Sequence, residues 1–216
     1  MDTIIDRLNK IKLNITNIKP DQKVNIIAVS KTFSLDHISP LIESGHQHFG
    51  ENKVQEAVAK WSGVVNKNNS ISLHMVGKLQ TNKTKDAVKL FDYIHSLDSQ
   101  KLADSLAKHQ NNLKKKLKYF IQVNIGNEIQ KSGLPVNELD PFYNYCKNDL
   151  NLDILGLMVL PPNDKDPEKY FKSLNELNKS LALHDLSMGM SADYVEAVKH
   201  GATFVRVGSS IFGERS

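Results

Sequence analysis

The sequence predicts an α/β fold, a single closed (β/α)8 barrel of the TIM type with an extra N-terminal helix, and three observations carry that expectation. Eight short apolar runs recur along the 216 residues, and helical stripes separate them. The first run, VNIIAV at 24–29, has almost no polar alternation, as expected of a parallel strand buried on both faces. Strands alternating with helices to the end of the chain argue for a parallel sheet closed into a barrel, with a doubly wound open sheet as the alternative.

The elements follow in order. Ile4, Leu8, Ile11, Ile15 and Ile18 recur at steps of three and four, the single stripe of an amphipathic helix, which Pro20 ends. Strands are expected at 24–29, 47–49, 72–76, 93–95, 119–124, 154–159, 185–188 and 203–207. Two of these are so short that the count could fall to seven. Between them, Val54, Val58 and Trp61 share one helical face, as do Leu102, Leu106 and Leu113. Asp166 and Pro167 read as an N-cap and first helical position ahead of Tyr170, Phe171, Leu174, Leu177 and Leu181. Pro40 falls inside the helix expected before Gly45 and should kink or shorten it. With no repeat, low-complexity tract or linker, residues 1–216 are expected to form one domain.

Composition narrows the function classes. Apolar residues make up 40% and charged residues 24%, which excludes disorder, collagen and coiled coil. No run approaches a membrane span, and MDTIIDRLNKIK lacks the parts of a secretory signal, so a cytoplasmic protein is expected. The single cysteine, Cys146, can form neither an internal disulfide nor a cysteine-based zinc site, in keeping with a reducing compartment. A formal charge of +4 is a weak electrostatic footprint, and no nucleic-acid partner is expected. The basic run 114–118 reads as a solvated helix end rather than a phosphate patch.

In a β/α barrel the chemistry lies at the carboxyl ends of the strands. Lys31 follows the first strand, where nearby apolar walls disfavour the ammonium form and make an amine available to an aldehyde; taken alone, such a lysine more often lays its stem on apolar surface. Arg206 lies near the end of the last strand, which passes directly into Gly208-Ser209-Ser210, a turn with bare N–H groups suited to a phosphate. Ser191, after the seventh strand, reads first as the N-cap of the following helix and could also donate to a phosphate oxygen beside that turn. Asn52 ends the second strand as a donor and acceptor, or simply as a cap. Lysine, anion cup and arginine together describe a site for pyridoxal 5'-phosphate. An arginine facing the pyridine nitrogen can only donate, which keeps that nitrogen unprotonated and the ring a weak electron sink.

Other residues suggest less. His46 and His48 lie two apart as candidate metal ligands, but no third is evident and a core or solvent role is the plainer reading. His74 reads either as stacking near a cofactor or as a barrel-interior histidine satisfied by neighbours. The segment 131–133 follows a strand and is expected to face the mouth, and Met158 reads as core.

The ordered set AVSKT at 28–32, FGEN at 49–52, HMVGKLQ at 74–80, LSMGMS at 186–191 and VRVGSS through IFG at 205–213 closely resembles the pyridoxal-phosphate homeostasis protein family, over about residues 24–215. The resemblance implies a fold similar to the N-terminal barrel of alanine racemase. It implies that Lys31 forms the Schiff base, that Ser191, Gly208 and Ser209 hold the phosphate, that Arg206 faces the pyridine nitrogen, and that Asn52 and Met188 line the ring. It also implies a protein that binds and buffers the cofactor, with apo-enzymes that use it as possible partners; a monomer is expected. Racemases of this barrel type carry a second domain with an opposing tyrosine, whereas this chain ends three residues after Gly213, so a carrier is expected rather than an enzyme.

Overall fold

The computed structural model describes residues 2–65, 70–126, 132–162 and 166–213. Helix α1 (Ile4–Ile18) opens the fold. The Thr3 hydroxyl accepts from the Asp6 N–H and the Asp6 carboxylate accepts from the Thr3 N–H, a reciprocal capping box. Its buried stripe is Leu8, Ile11 and Ile15, with Ile4 and Ile18 packed at either end.

Among the described residues eight strands follow: β1 (Asn25–Val29), β2 (His48–Glu51), β3 (Ser72–Met75), β4 (Tyr93–Leu97), β5 (Lys118–Gln122), β6 (Asp153–Met158), β7 (Asp185–Met190) and β8 (Phe204–Val207). They pair in chain order, all parallel, and β8 closes on β1 through Asn25 to Ala28 opposite Phe204 to Val207. The closed barrel excludes the open-sheet alternative. Strand centres fall where the apolar runs are, but β2, β4 and β7 each continue two residues further than expected: Gly50 and Glu51 still pair, and Leu97 and Met190 pair again beyond an irregularity that follows Ile94 and Ser187.

The outer helices are α2 (Leu35–Glu43), α3 (Val54–Val65), α4 (Thr84–Leu90), α5 (Gln100–Leu113), α6 (Leu139–Asn144), α7 (Glu168–Ser180), α8 (Tyr194–Lys199) and the single turn α9 (Ser209–Phe212). Because α9 is so short, the last strand lacks a full covering helix. Helix α1 packs against α2, α8 and α9 and closes that gap, which is why an N-terminal helix precedes the barrel. Pro40 sits inside α2 without ending it: the Asp36 carbonyl, which loses its helical N–H partner, accepts instead from the Ser39 hydroxyl at 3.0 Å.

Two apolar layers result. Between sheet and helices lies the larger core, in which Trp61, Phe49, Tyr119 and Phe171 are fully buried. Inside the barrel, Ile27, Val29, Val76, Phe120, Met158 and Phe204 pack together. Both faces of β1 are therefore dry, the physical reason for its unbroken apolar run. Two expected faces shift. On α3 the buried set is Val54, Ala57 and Trp61, with Val58 turned outward, and on α5 Leu113 is exposed beyond Leu102 and Leu106. The cap of α7 is Pro167 itself.

Strands β6 and β7 approach so closely at Gly156 that a Cβ there would lie 1.6 Å from the Asp185 carbonyl oxygen. Gly156→Ala must therefore push the two strands apart. The expected result is a loss of about 3 kcal/mol or more in denaturant unfolding, the upper end for overpacking because backbone must move rather than a side chain. Wild-type stability in this variant would mean that the pairing there is looser than described. No helix among the described residues is long and apolar enough to cross a membrane.

Candidate functional site

The carboxyl ends of the strands surround a cavity of about 930 Å³, at the upper end of the roughly 300–1,000 Å³ usual for small-molecule sites. Six of the seven expected site residues line it: Lys31, Asn52, Ser191, Arg206, Gly208 and Ser209. Met188 does not. Along β7 the side chains alternate, so Ser187 faces the barrel interior and Met188 is fully buried in the core between sheet and helices. Gly189, at φ +90°, then breaks the regular register with β8, and the next residue, Met190, lines the cavity instead.

Lys31 is set by a buried polar cluster at the top of β1 and β2. The neighbouring Ser30 is held three ways: its N–H donates to the Gly50 carbonyl, its hydroxyl donates to Glu51 Oε1 at 2.8 Å, and its carbonyl accepts from Lys60 Nζ at 2.8 Å. The same Glu51 oxygen accepts from Lys60 Nζ at 2.9 Å and from Trp61 Nε1 at 3.0 Å, and the Glu51 side chain is fully buried. Thr32, just beyond Lys31, has φ +69°, a turn that ends the strand at the cavity rim. Burial pushes the Cys146 thiol up to about 12, so it offers no competing thiolate.

The cup is built differently from the expectation. Ser191 does not cap α8; Asp193 precedes that helix, and its carboxylate accepts from the Met190 N–H. Ser191 Oγ instead accepts from the N–H groups of Gly208 and Ser210, each at 3.3 Å, so the loop after β7 is tied to the turn after β8. Ser191, Gly208 and Ser209 line the cavity together, and the Gly208 and Ser210 N–H groups are engaged by Ser191 Oγ, so they reach a phosphate only by exchanging that oxygen for one of its own.

Arg206 projects from β8 into the barrel interior and is buried at the cavity floor. Its Nη1 donates to Ser187 Oγ at 2.7 Å and its Nη2 to the Val159 carbonyl at 2.9 Å. Burial pulls its pKa down to about 10, with Asp193 acting against that, so the group is still a cation at neutral pH. Lys78, Gln122, Phe33 and Leu160 also line the cavity and carry no expectation from sequence. Lys78 follows β3 as Lys31 follows β1, and that position was the available signal. Ser132 bears out part of the 131–133 segment; Lys131 lies outside the described residues.

His46 and His48 do not turn their bonded ring nitrogens to one shared point. His46 Nε2 bonds to the His48 carbonyl at 2.9 Å, and His48 turns inward to His74. His74 is the satisfied interior histidine of the two readings offered: it stacks on Tyr93 and bonds both His48 and His95.

The fold and site define a closed β/α barrel that presents an amine, an anion cup and a buried guanidinium to one cavity. Residues 7–216 match the family model described as alanine racemase, N-terminal domain. The pyridoxal phosphate homeostasis protein of Pasteurella multocida is 37% identical over 99% of this chain and 98% of its own length, and that of Aquifex aeolicus is 38% identical over 88% and 86%. PipY of Synechococcus elongatus, solved with pyridoxal phosphate bound, superposes with a TM-score of 0.88 at 33% identity, covering 98% of this chain and 100% of that one. The chain belongs to the pyridoxal phosphate homeostasis protein family, whose barrel is that of the alanine racemase N-terminal domain.

Proposed function

We propose that this protein binds pyridoxal 5'-phosphate and serves in intracellular homeostasis and carriage of that cofactor, as a single cytoplasmic domain over residues 1–216. The observation that carries the reading is the meeting of Lys31, the Ser191–Gly208–Ser209 cup and Arg206 on one cavity. Bound there, the cofactor would supply an aldehyde that captures amines and a ring that can withdraw electrons. Lys31 would hold the aldehyde as a Schiff base, while Ser191, Ser209 and the backbone at Gly208 neutralise the phosphate with directed donors. Asn52 would border the ring, and Arg206 would donate to the pyridine nitrogen.

A carrier fits this set better than an enzyme. Arginine keeps its proton, so the ring nitrogen stays unprotonated and the ring withdraws electrons weakly. Among the described cavity-lining residues the titratable side chains are Lys31, Lys78 and Arg206, with no carboxylate, histidine or tyrosine to serve as an opposing acid or base. A monomer that passes the cofactor to apo-enzymes is the working picture.

Purified protein mixed with the cofactor should develop a visible Schiff-base band. Borohydride should fix the band, and peptide mapping should find the reduced adduct on Lys31. A colourless protein with no reducible adduct would reject the reading in favour of some other phosphorylated metabolite. Steady loss of optical activity from a single amino-acid enantiomer would overturn the carrier role and leave cofactor binding intact.

A further inference from the structure

The barrel interior holds a column of polar groups that the cavity does not need for contact. His48 on β2, His74 on β3 and His95 on β4 stand next to Phe49, Leu73, Met75 and Ile94, which face the outer core, so all three rings turn inward. They bond in series: His48 Nδ1 to His74 Nε2 at 2.9 Å, His74 Nδ1 to His95 Nε2 at 2.9 Å, and His95 Nδ1 to Ser187 Oγ at 2.8 Å. Ser187 Oγ then accepts from Arg206 Nη1. The ring faces are fixed as well, since His74 stacks on Tyr93 at 4.2 Å and His95 on Phe120 at 4.5 Å between centroids.

The chain has one direction. A guanidinium has donors only, so Ser187 must accept from Arg206. Of the two partners of Ser187 Oγ only His95 Nδ1 can take its proton, and donating there satisfies all three groups, puts the His95 proton on Nε2 and aims it at His74 Nδ1. The same step repeats to His48. Each imidazole must be neutral for this to hold, and burial lowers all three below their ordinary range, furthest for the fully buried His74 and His95. The charges that act on them are cationic: Arg206 on His95, Lys118 on His74, and Lys23 and Lys118 on His48. Because a guanidinium has no lone pair to receive a proton, the chain cannot deliver one to the cavity. Its effect is electrostatic, since each bond polarises the next and draws density toward Arg206.

We propose that His48, His74, His95 and Ser187 are positioning residues for Arg206, a one-way hydrogen-bond chain that holds its guanidinium against the cavity floor with the remaining donors available to the ligand. The proposal rests on the reading above only in naming the pyridine nitrogen as what Arg206 meets.

Two measurements test it. Nitrogen NMR of the cofactor-free wild type should find His74 and His95 neutral at neutral pH with the proton on Nε2; a proton on Nδ1, or a charged ring, overturns the chain. In the loaded protein, breaking the chain frees Arg206 and lets the ring nitrogen take a proton, and that added charge disfavours a protonated imine. His95→Phe, and independently Ser187→Ala, should therefore lower the pH midpoint of the visible band by about one unit. His95→Asn, which keeps an acceptor at the Nδ1 position, should restore it. An unchanged midpoint in a folded, loaded Ser187→Ala protein defeats the proposal. Failure of wild type to form any band defeats the cofactor reading instead, and the NMR result still decides the chain.

Discussion

Lys31→Ala is expected to abolish the visible band completely while the protein stays folded and keeps a weak, phosphate-competable affinity for the cofactor. The side chain lies at the cavity rim beyond the Ser30–Glu51–Lys60–Trp61 cluster, so trimming it to alanine leaves that cluster's hydrogen bonds in place. What disappears is the covalent link. The remaining hold is the cup and Arg206, in which charge-assisted hydrogen bonds contribute about 1.5–3 kcal/mol each before the cost of immobilising the ligand. That leaves affinity of roughly millimolar to micromolar order. Lys78 provides the internal control, because it lines the same cavity with a primary amine. Lys78→Ala should keep the band and its borohydride adduct. Should the band survive in Lys31→Ala and vanish in Lys78→Ala, the reacting amine has been assigned to the wrong strand end.

The barrel was legible in the sequence because burial on two faces writes itself as continuous apolar runs, and eight of them survive as eight strands. The cavity-lining residues at strand ends were legible for a related reason, since the carboxyl ends of the strands surround the cavity and Lys31 and Gly208 stand one or two residues beyond such runs. Three features were not. Met188, which the resemblance places beside the ring, is buried outside the barrel, and the irregularity at Gly189 brings Met190 to the cavity wall instead; a one-residue irregularity in pairing is invisible to a pattern of period two. Ser191 was read as capping its own helix, yet its oxygen is taken by the turn after β8, a contact set by closure of the barrel rather than by local spacing. His95 drew no notice because a single histidine within an apolar strand carries no local signal; its meaning comes from its neighbours on the adjoining strands.

Those same histidines should make the protein acid-sensitive. Burial, opposed by the bond to the His48 carbonyl, lowers His46 from 6.5 to about 4, and His48, His74 and His95 shift in the same direction, again chiefly through burial. Each is neutral in the fold and ordinary in the unfolded chain. As pH falls below the unfolded value, the unfolded chain binds protons that the fold refuses, and stability falls until the folded group itself titrates. For His46 alone this amounts to about 3 kcal/mol between pH 6.5 and about 4, a large share of the roughly 5–15 kcal/mol that holds a domain together. The other three add to it. Asp98 acts oppositely: burial raises its carboxyl, partly offset by Lys78, so protonation there favours the fold, but it is one group against four. Denaturant midpoints measured at about pH 7 and about pH 5 should therefore fall steeply on acidification. His46→Gln should flatten the slope, whatever it does to stability at neutral pH. Equal midpoints at the two pH values would mean that the interior histidines already carry charge in the fold, which the one-way chain to Arg206 does not permit.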